Sequence, residues 1–107
     1  MKKLTKVLVG TGALALSALT MNVHAADGKA LYTEKNCHTC HGADGKAPIM
    51  PLYPKLAGQN KEYMVAQMKD IKSGKRNNGM SAAMKAMVMN ISDAEFEAIA
   101  EYLANVK

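Results

Sequence analysis

The sequence predicts a small all-α domain. Three observations lead there. Apolar residues recur at helical spacing in stretches near 27–36, 61–73 and 92–106, and the latter two end or begin on capping residues. No alternating strand pattern flanks the central motif. That motif, Cys37-His38-Thr39-Cys40-His41, is one whose cofactor would fill the centre that so short a chain cannot build alone.

The chain has 107 residues, enough for one domain. Its first 25 read as a cleaved secretory signal peptide. Lys2, Lys3 and Lys6 form a basic start, Val7 to Thr20 an uncharged apolar run, and Val23-His24-Ala25 a small-x-small cleavage site. The apolar run is shorter than the roughly 20 residues that span a bilayer, so no stable membrane anchor is expected. The domain is therefore assigned to 26–107. Three of the 14 basic residues and none of the nine acids leave with the leader, so eleven cations face nine acids, a net +2. Nucleic-acid binding, which needs a clustered basic face, is not expected. Lys69, Lys72, Lys75 and Arg76 do cluster, but cations at a helix C-terminus are favoured by its dipole.

The first helix is expected over 27–36, with Asp27 as N-cap and Ala30, Leu31 and Tyr32 as apolar surface. Gly28 and Tyr32 share a face. A glycine in a first turn costs helix propensity, so either another backbone passes close or the start frays.

The motif follows. Cys-x-x-Cys-His is the attachment pattern of a c-type haem. Two intervening residues set both thiols on one side of a helical turn, where each can form a thioether to a vinyl group of one haem edge. His41 then lies under the macrocycle as an axial iron ligand. A thioredoxin-type pair wants a βαβ context, and a zinc site wants further Cys or His ligands. After the leader, His38 is the only other histidine. One covalent haem c is thus predicted on Cys37 and Cys40, with both thiols consumed, as suits export to an oxidising compartment.

From Gly42 to Asn60 the prolines Pro48, Pro51 and Pro54 forbid a helix and stiffen an extended wrap around a haem edge. An iron-bound histidine usually donates its other N–H to a backbone carbonyl. Pro51 is the expected carrier of that carbonyl and Pro48 the second choice, unless the prolines only shape the loop. Tyr53 is counted with them as a cofactor contact. A second helix is expected over 61–73, capped by Asn60 and closed by Gly74. Met64, Met68 and Ile71 form its core stripe, with Tyr63 edging the same face. Residues 75–91 read as a loop with a helical turn near 81–87. Met80, Met84, Met87 and Met89 lie there, and one of them is expected to be the second axial ligand; the other reading is four packing methionines and an open iron. The last helix, 92–106, starts on a Ser92/Glu95 capping box and carries the stripe Phe96, Ile99, Ala100 and Leu103.

With these motifs set out, the chain resembles a class I cytochrome c. It is most similar to the small bacterial monohaem cytochromes c-553 and c5 and to one domain of the dihaem cytochromes c4. Gly-x-x-x-Tyr before the motif, Cys-His-Thr-Cys-His-Gly-Ala-Asp-Gly at it, Pro-Lys-Leu-Ala-Gly-Gln after it and Asn-Ile-Ser-Asp-Ala-Glu before the last helix carry the likeness. The resemblance implies N- and C-terminal helices that cross, with Gly28 and Tyr32 against Ile99 and Tyr102, and a middle helix and loops wrapped around one haem. It implies an axial methionine about eight residues ahead of the capping serine, which is Met84; Met80 is the runner-up and Met87 the third choice. The function implied is a soluble periplasmic electron carrier of the respiratory chain, a monomer that meets donor and acceptor proteins transiently and is not an enzyme. Lys46, Lys55 and Lys85 would steer acidic partners at the haem rim or simply form a solvated surface. The competing reading is a small haem peroxidase or ligand-binding sensor with a labile sixth position. Against it, no residue offers the distal acid–base chemistry that peroxide needs.

Overall fold

The computed structural model describes residues 27–107. The expected signal peptide lies outside the described residues. The described elements are all helices: α1 (Gly28–Glu34), α2 (His38–His41), α3 (Lys61–Ser73), α4 (Ser81–Val88) and α5 (Asp93–Ala104).

The caps follow the local chemistry. Asp27 Oδ1 accepts from the Ala30 N–H at 3.1 Å and starts α1. The helix stops at Glu34, short of the expected residue 36, because Asn36 takes a positive φ of 63°. Asparagine tolerates that left-handed turn, and it swings the chain directly into α2. Helix α3 has the expected bounds and ends on Gly74 at φ 88°. Asn60 stands at its N-cap position without a capping hydrogen bond from its side chain. Tyr63, expected at the edge of the core face, is turned out and 53% exposed. The turn expected near 81–87 is a full helix, α4.

Helix α5 begins on a complete capping box. Glu95 N–H donates to Ser92 Oγ at 3.1 Å, and Ser92 N–H donates to Glu95 Oε1 at 3.0 Å. That second bond holds the Glu95 carboxyl below its usual range. Ser92→Ala is expected to cost about 1 kcal/mol, a melting-point drop of roughly 4–8 °C for a domain of this size, read by thermal circular dichroism of the holoprotein.

Helix α5 is the hub on which α1 and α3 both pack, while α4 packs on α3. Phe96, Ile99, Ala100 and Leu103 of α5 meet Tyr32 of α1 and Met64, Val65, Met68 and Ile71 of α3 in one buried cluster. Met64 and Met68 thus act as core. Gly28 explains how α1 approaches so closely: a Cβ there would lie 2.0 Å from the carbonyl oxygen of Ala98 and 2.8 Å from Tyr102 Cβ. The implied packing of α1 on Ile99 and Tyr102 is present, and the backbone that passes Gly28 is that of Ala98. The Tyr32 and Tyr102 rings sit 5.8 Å apart, tilted by 52°.

Candidate haem site

Helix α2 is barely more than one turn, with Cys37 as its N-cap and Cys40 and His41 at its end. It is fixed to α1 by the bond from Cys37 N–H to the Tyr32 carbonyl at 3.0 Å. Both cysteines are free and half-buried. Burial pushes the Cys37 thiol up to about 11. His41 is buried, 7% exposed.

The His41 ring is oriented by one hydrogen bond, from Nδ1 to the carbonyl oxygen of Pro54 at 2.9 Å. A carbonyl only accepts, so Nδ1 donates a proton to it and Nε2 is the nitrogen left to ligate a metal. This corrects the expectation for Pro51, and equally for Pro48. The reason lies in the turn between them. Tyr53 N–H bonds back to the Met50 carbonyl at 3.0 Å, which leaves Pro51 exposed within the turn. Only after that reversal does a carbonyl reach the histidine, and it belongs to Pro54. Tyr53 lies beside the same ring, its centroid 6.2 Å from that of His41.

A second support was not foreseen. The buried Tyr32 hydroxyl donates to the Gly42 carbonyl at 2.6 Å, directly after the motif. Burial, above all, pushes this hydroxyl well above its ordinary value. The sign follows: a phenol kept protonated by the fold contributes stability in full below its unfolded value of about 10, and that contribution is lost as pH rises above it. Tyr32→Phe is expected to cost about 1 kcal/mol at neutral pH and to flatten the alkaline fall in stability relative to the parent. Denaturant melts of both holoproteins between neutral pH and pH about 11 check this.

The four loop methionines are not equivalent. Met84 is half-buried and packs against the core cluster, as Cys37 does. Met80, Met87 and Met89 are 43%, 43% and 47% exposed. The structure gathers Cys37, Cys40, His41, Tyr53 and Pro54 about α2; it puts Met84 on α4 and Met80 at that helix's N-cap. Of the three lysines singled out, Lys46 pairs with Asp44 at 3.9 Å, and Lys85 lies on α4 rather than in a loop.

These residues fit a haem. An oriented imidazole, two cysteines on one helical turn and a thioether are its attachment and ligand set. The loop between α2 and α3 sets only Leu56 against the buried apolar cluster, yet it carries Ile49, Met50 and Leu52 as exposed hydrophobics. A flat apolar macrocycle gives such side chains something to cover.

Comparison with known proteins agrees. The family model for cytochrome c matches residues 25–107. Cytochrome c4 of Pseudomonas aeruginosa is 39% identical over 106 residues, covering 99% of this chain and 49% of that protein. Cytochrome c-553 of Nitratidesulfovibrio vulgaris (strain Miyazaki F) is 33% identical over 106 residues, covering 99% of this chain and all of that protein. The crystal structure of reduced recombinant cytochrome c4 from Pseudomonas stutzeri superposes with a TM-score of 0.61 at 35% identity, over 76% of this chain and 46% of that one. The chain spans about half the length of the cytochrome c4 relatives it matches. Coverage of this extent decides the family: the chain belongs to the cytochromes c, and haem c is its cofactor.

Proposed function

We propose that residues 26–107 form a soluble, monomeric, periplasmic electron carrier, delivered there by the leader 1–25 and serving respiratory donor and acceptor proteins in transient encounters. The carrying observation is the bond from His41 Nδ1 to Pro54, because it fixes the ring with Nε2 left to ligate a metal. When bound, haem c supplies a one-electron couple at its iron. The protein's part is to hold, orient and shield. Cys37 and Cys40 take the two thioethers, which fix the cofactor beside α2. His41 is the proximal ligand. Met84 is the second, favoured over Met80 by its half-buried setting against the core; His/Met ligation sets a raised potential. Tyr53 flanks the histidine. The apolar side chains of the loop and of α4 exclude water, so the ligands need to move little when charge changes. With His41 and Met84 both holding the iron, no position would be left for a substrate, and the protein would act as a carrier rather than an enzyme. No helix among the described residues is long and apolar enough to cross a membrane.

The test is spectroscopy of holoprotein exported from a bacterial host. A pyridine haemochrome of the c type, a strongly shifted methionine methyl in the ferrous NMR spectrum and a mature N-terminus at Ala26 are expected. Rapid binding of carbon monoxide with no shifted methyl would instead favour a peroxidase or gas sensor with a labile sixth position.

A further inference from the structure

Between α3 and α4 the chain turns on Asn78-Gly79-Met80-Ser81. The Ser81 N–H donates to the Asn78 carbonyl at 3.0 Å. Gly79 has a φ of 55°, and Met80 a φ of −91° with ψ 16°. That is the pattern of a type II′ turn, which takes glycine at its first central position. Asn78, Gly79 and Met80 are all exposed. A Cβ on Gly79 would have no neighbour within 4 Å. Among the described residues no backbone carbonyl holds the Gly79 N–H. The glycine that suits the turn therefore leaves its own nitrogen unshielded.

Asparagine is thermolabile, and the reagent that attacks it is the chain itself. The next backbone nitrogen can reach the side-chain amide carbon and close a succinimide ring. A side chain on that next residue crowds the approach, and glycine has none. Asn78 is the only asparagine of the chain that glycine follows. Asn105 precedes Val106 and is held besides, since its Nδ2 donates to the Glu101 carbonyl and to Glu101 Oε2 at 2.9 Å each. Two Asp-Gly pairs could close the same ring, and the fold restrains both. Asp27 Oδ1 accepts from the Ala30 N–H at 3.1 Å, and the Gly45 N–H donates to the Gly42 carbonyl at 3.2 Å.

We propose that Asn78-Gly79 is a self-modification site, at which deamidation writes a carboxylate into the turn ahead of α4. The Gly79 nitrogen bonds to Asn78 Cγ, the Cγ–Nδ2 bond breaks, and ammonia leaves with the Gly79 amide proton. Water then opens the ring, and nothing is oxidised or reduced. Cleavage of the new Cγ–N bond gives an ordinary aspartate at 78. Cleavage at the backbone carbonyl instead gives isoaspartate, whose chain runs through the side-chain carbon. The two products act oppositely on α4. Its N-cap Met80 makes no capping bond and its first turn has no acid, so aspartate supplies negative charge where the helix end is positive. Isoaspartate adds a carbon to the backbone just ahead of Met80 and loosens the start of the helix that carries Met84. The inference goes beyond the carrier reading and does not rest on it.

The experiment ages the holoprotein at mildly alkaline pH, where the attacking nitrogen gives up its proton more readily. Isoelectric focusing follows the charge of 26–107, which passes from eleven cations against nine acids to eleven against ten. Peptide mapping, with labelling by an isoaspartyl methyltransferase, places the change. An acidic form is expected to accumulate, to map to residue 78, to contain isoaspartate and to appear faster as pH is raised. Asn78→Ser, at an exposed position, should lose the acidic form altogether, and Gly79→Ala should cut its yield several-fold. Hydrogen exchange of the amides in 81–88 should quicken in the isoaspartyl fraction and stay at the parent rate in Asn78→Asp. An acidic form that maps to another residue, persists in Asn78→Ser, or develops only in denaturant would overturn the proposal. Equal exchange in the isoaspartyl fraction and in Asn78→Asp would overturn the opposed effects on α4. A holoprotein without a reversible one-electron couple would defeat the carrier reading alone.

Discussion

Replacing Gly28 by alanine is expected to part the first helix from the last and to produce the largest loss of stability of any single methyl added to this protein. The new Cβ would meet the Ala98 carbonyl oxygen at 2.0 Å, the Ala98 carbonyl carbon at 2.8 Å and Tyr102 Cβ at 2.8 Å. The first two are backbone atoms inside a helix, so no rotamer change relieves them. Ordinary contact needs about 3.5 Å, and the helices must therefore separate by roughly 1.5 Å. Tyr32, wholly buried and packed at a tilt against Tyr102, would lose its packing with them. Overpacking of this kind costs about 3 kcal/mol or more, against total stabilities of about 5–15 kcal/mol. The better helix propensity of alanine offsets at most about 1 kcal/mol. A net loss above about 2 kcal/mol lowers the melting point by roughly 10 °C or more. Thermal melts of the two holoproteins decide it: a variant within roughly 2 °C of the parent would mean that the helices do not rest on this glycine.

Met84→Ala is expected to give the largest electronic effect. If Met84 is the sixth ligand, the shifted methyl resonance of the ferrous protein disappears and the potential falls. Axial ligands span about 0.8 V among haem proteins, so a drop on the order of a few hundred mV is expected. Stability changes less, because the side chain is only half-buried. Met80→Ala and Met87→Ala are the matching controls, since both residues are exposed and should leave methyl signal and potential near the parent values. Survival of the signal in Met84→Ala, with loss in Met80→Ala, would move the ligand one turn toward the start of α4.

What could be read from the chain was whatever rests on neighbours in sequence. The Ser92/Glu95 box, the Gly74 stop and the two-residue spacing of the cysteines are each encoded within a few residues. Helix α4 was harder to read. Its N-cap is Met80, which makes no capping bond, and its first turn has no acid, so only a turn was visible where a full helix stands. The Pro54 carbonyl was missed for a different reason. Three prolines sit at equal intervals, and the choice among them depends on where the Met50–Tyr53 turn reverses the chain. Partners remote in sequence left no local trace at all. Tyr32 reaches forward to Gly42, and Lys61 finds Glu97 and Glu101 across the hub.

The seating of residue 28 on residue 98 also sets the order of assembly. Joining points some seventy residues apart carries a loop-closure entropy of about 4 kcal/mol, met only once the final twelve-residue helix exists to receive it. A chain emerging from its amino end therefore exposes the cysteine pair to attachment chemistry while the domain is still open. Closure comes afterward, when the carboxyl-terminal helix arrives to seat on residue 28.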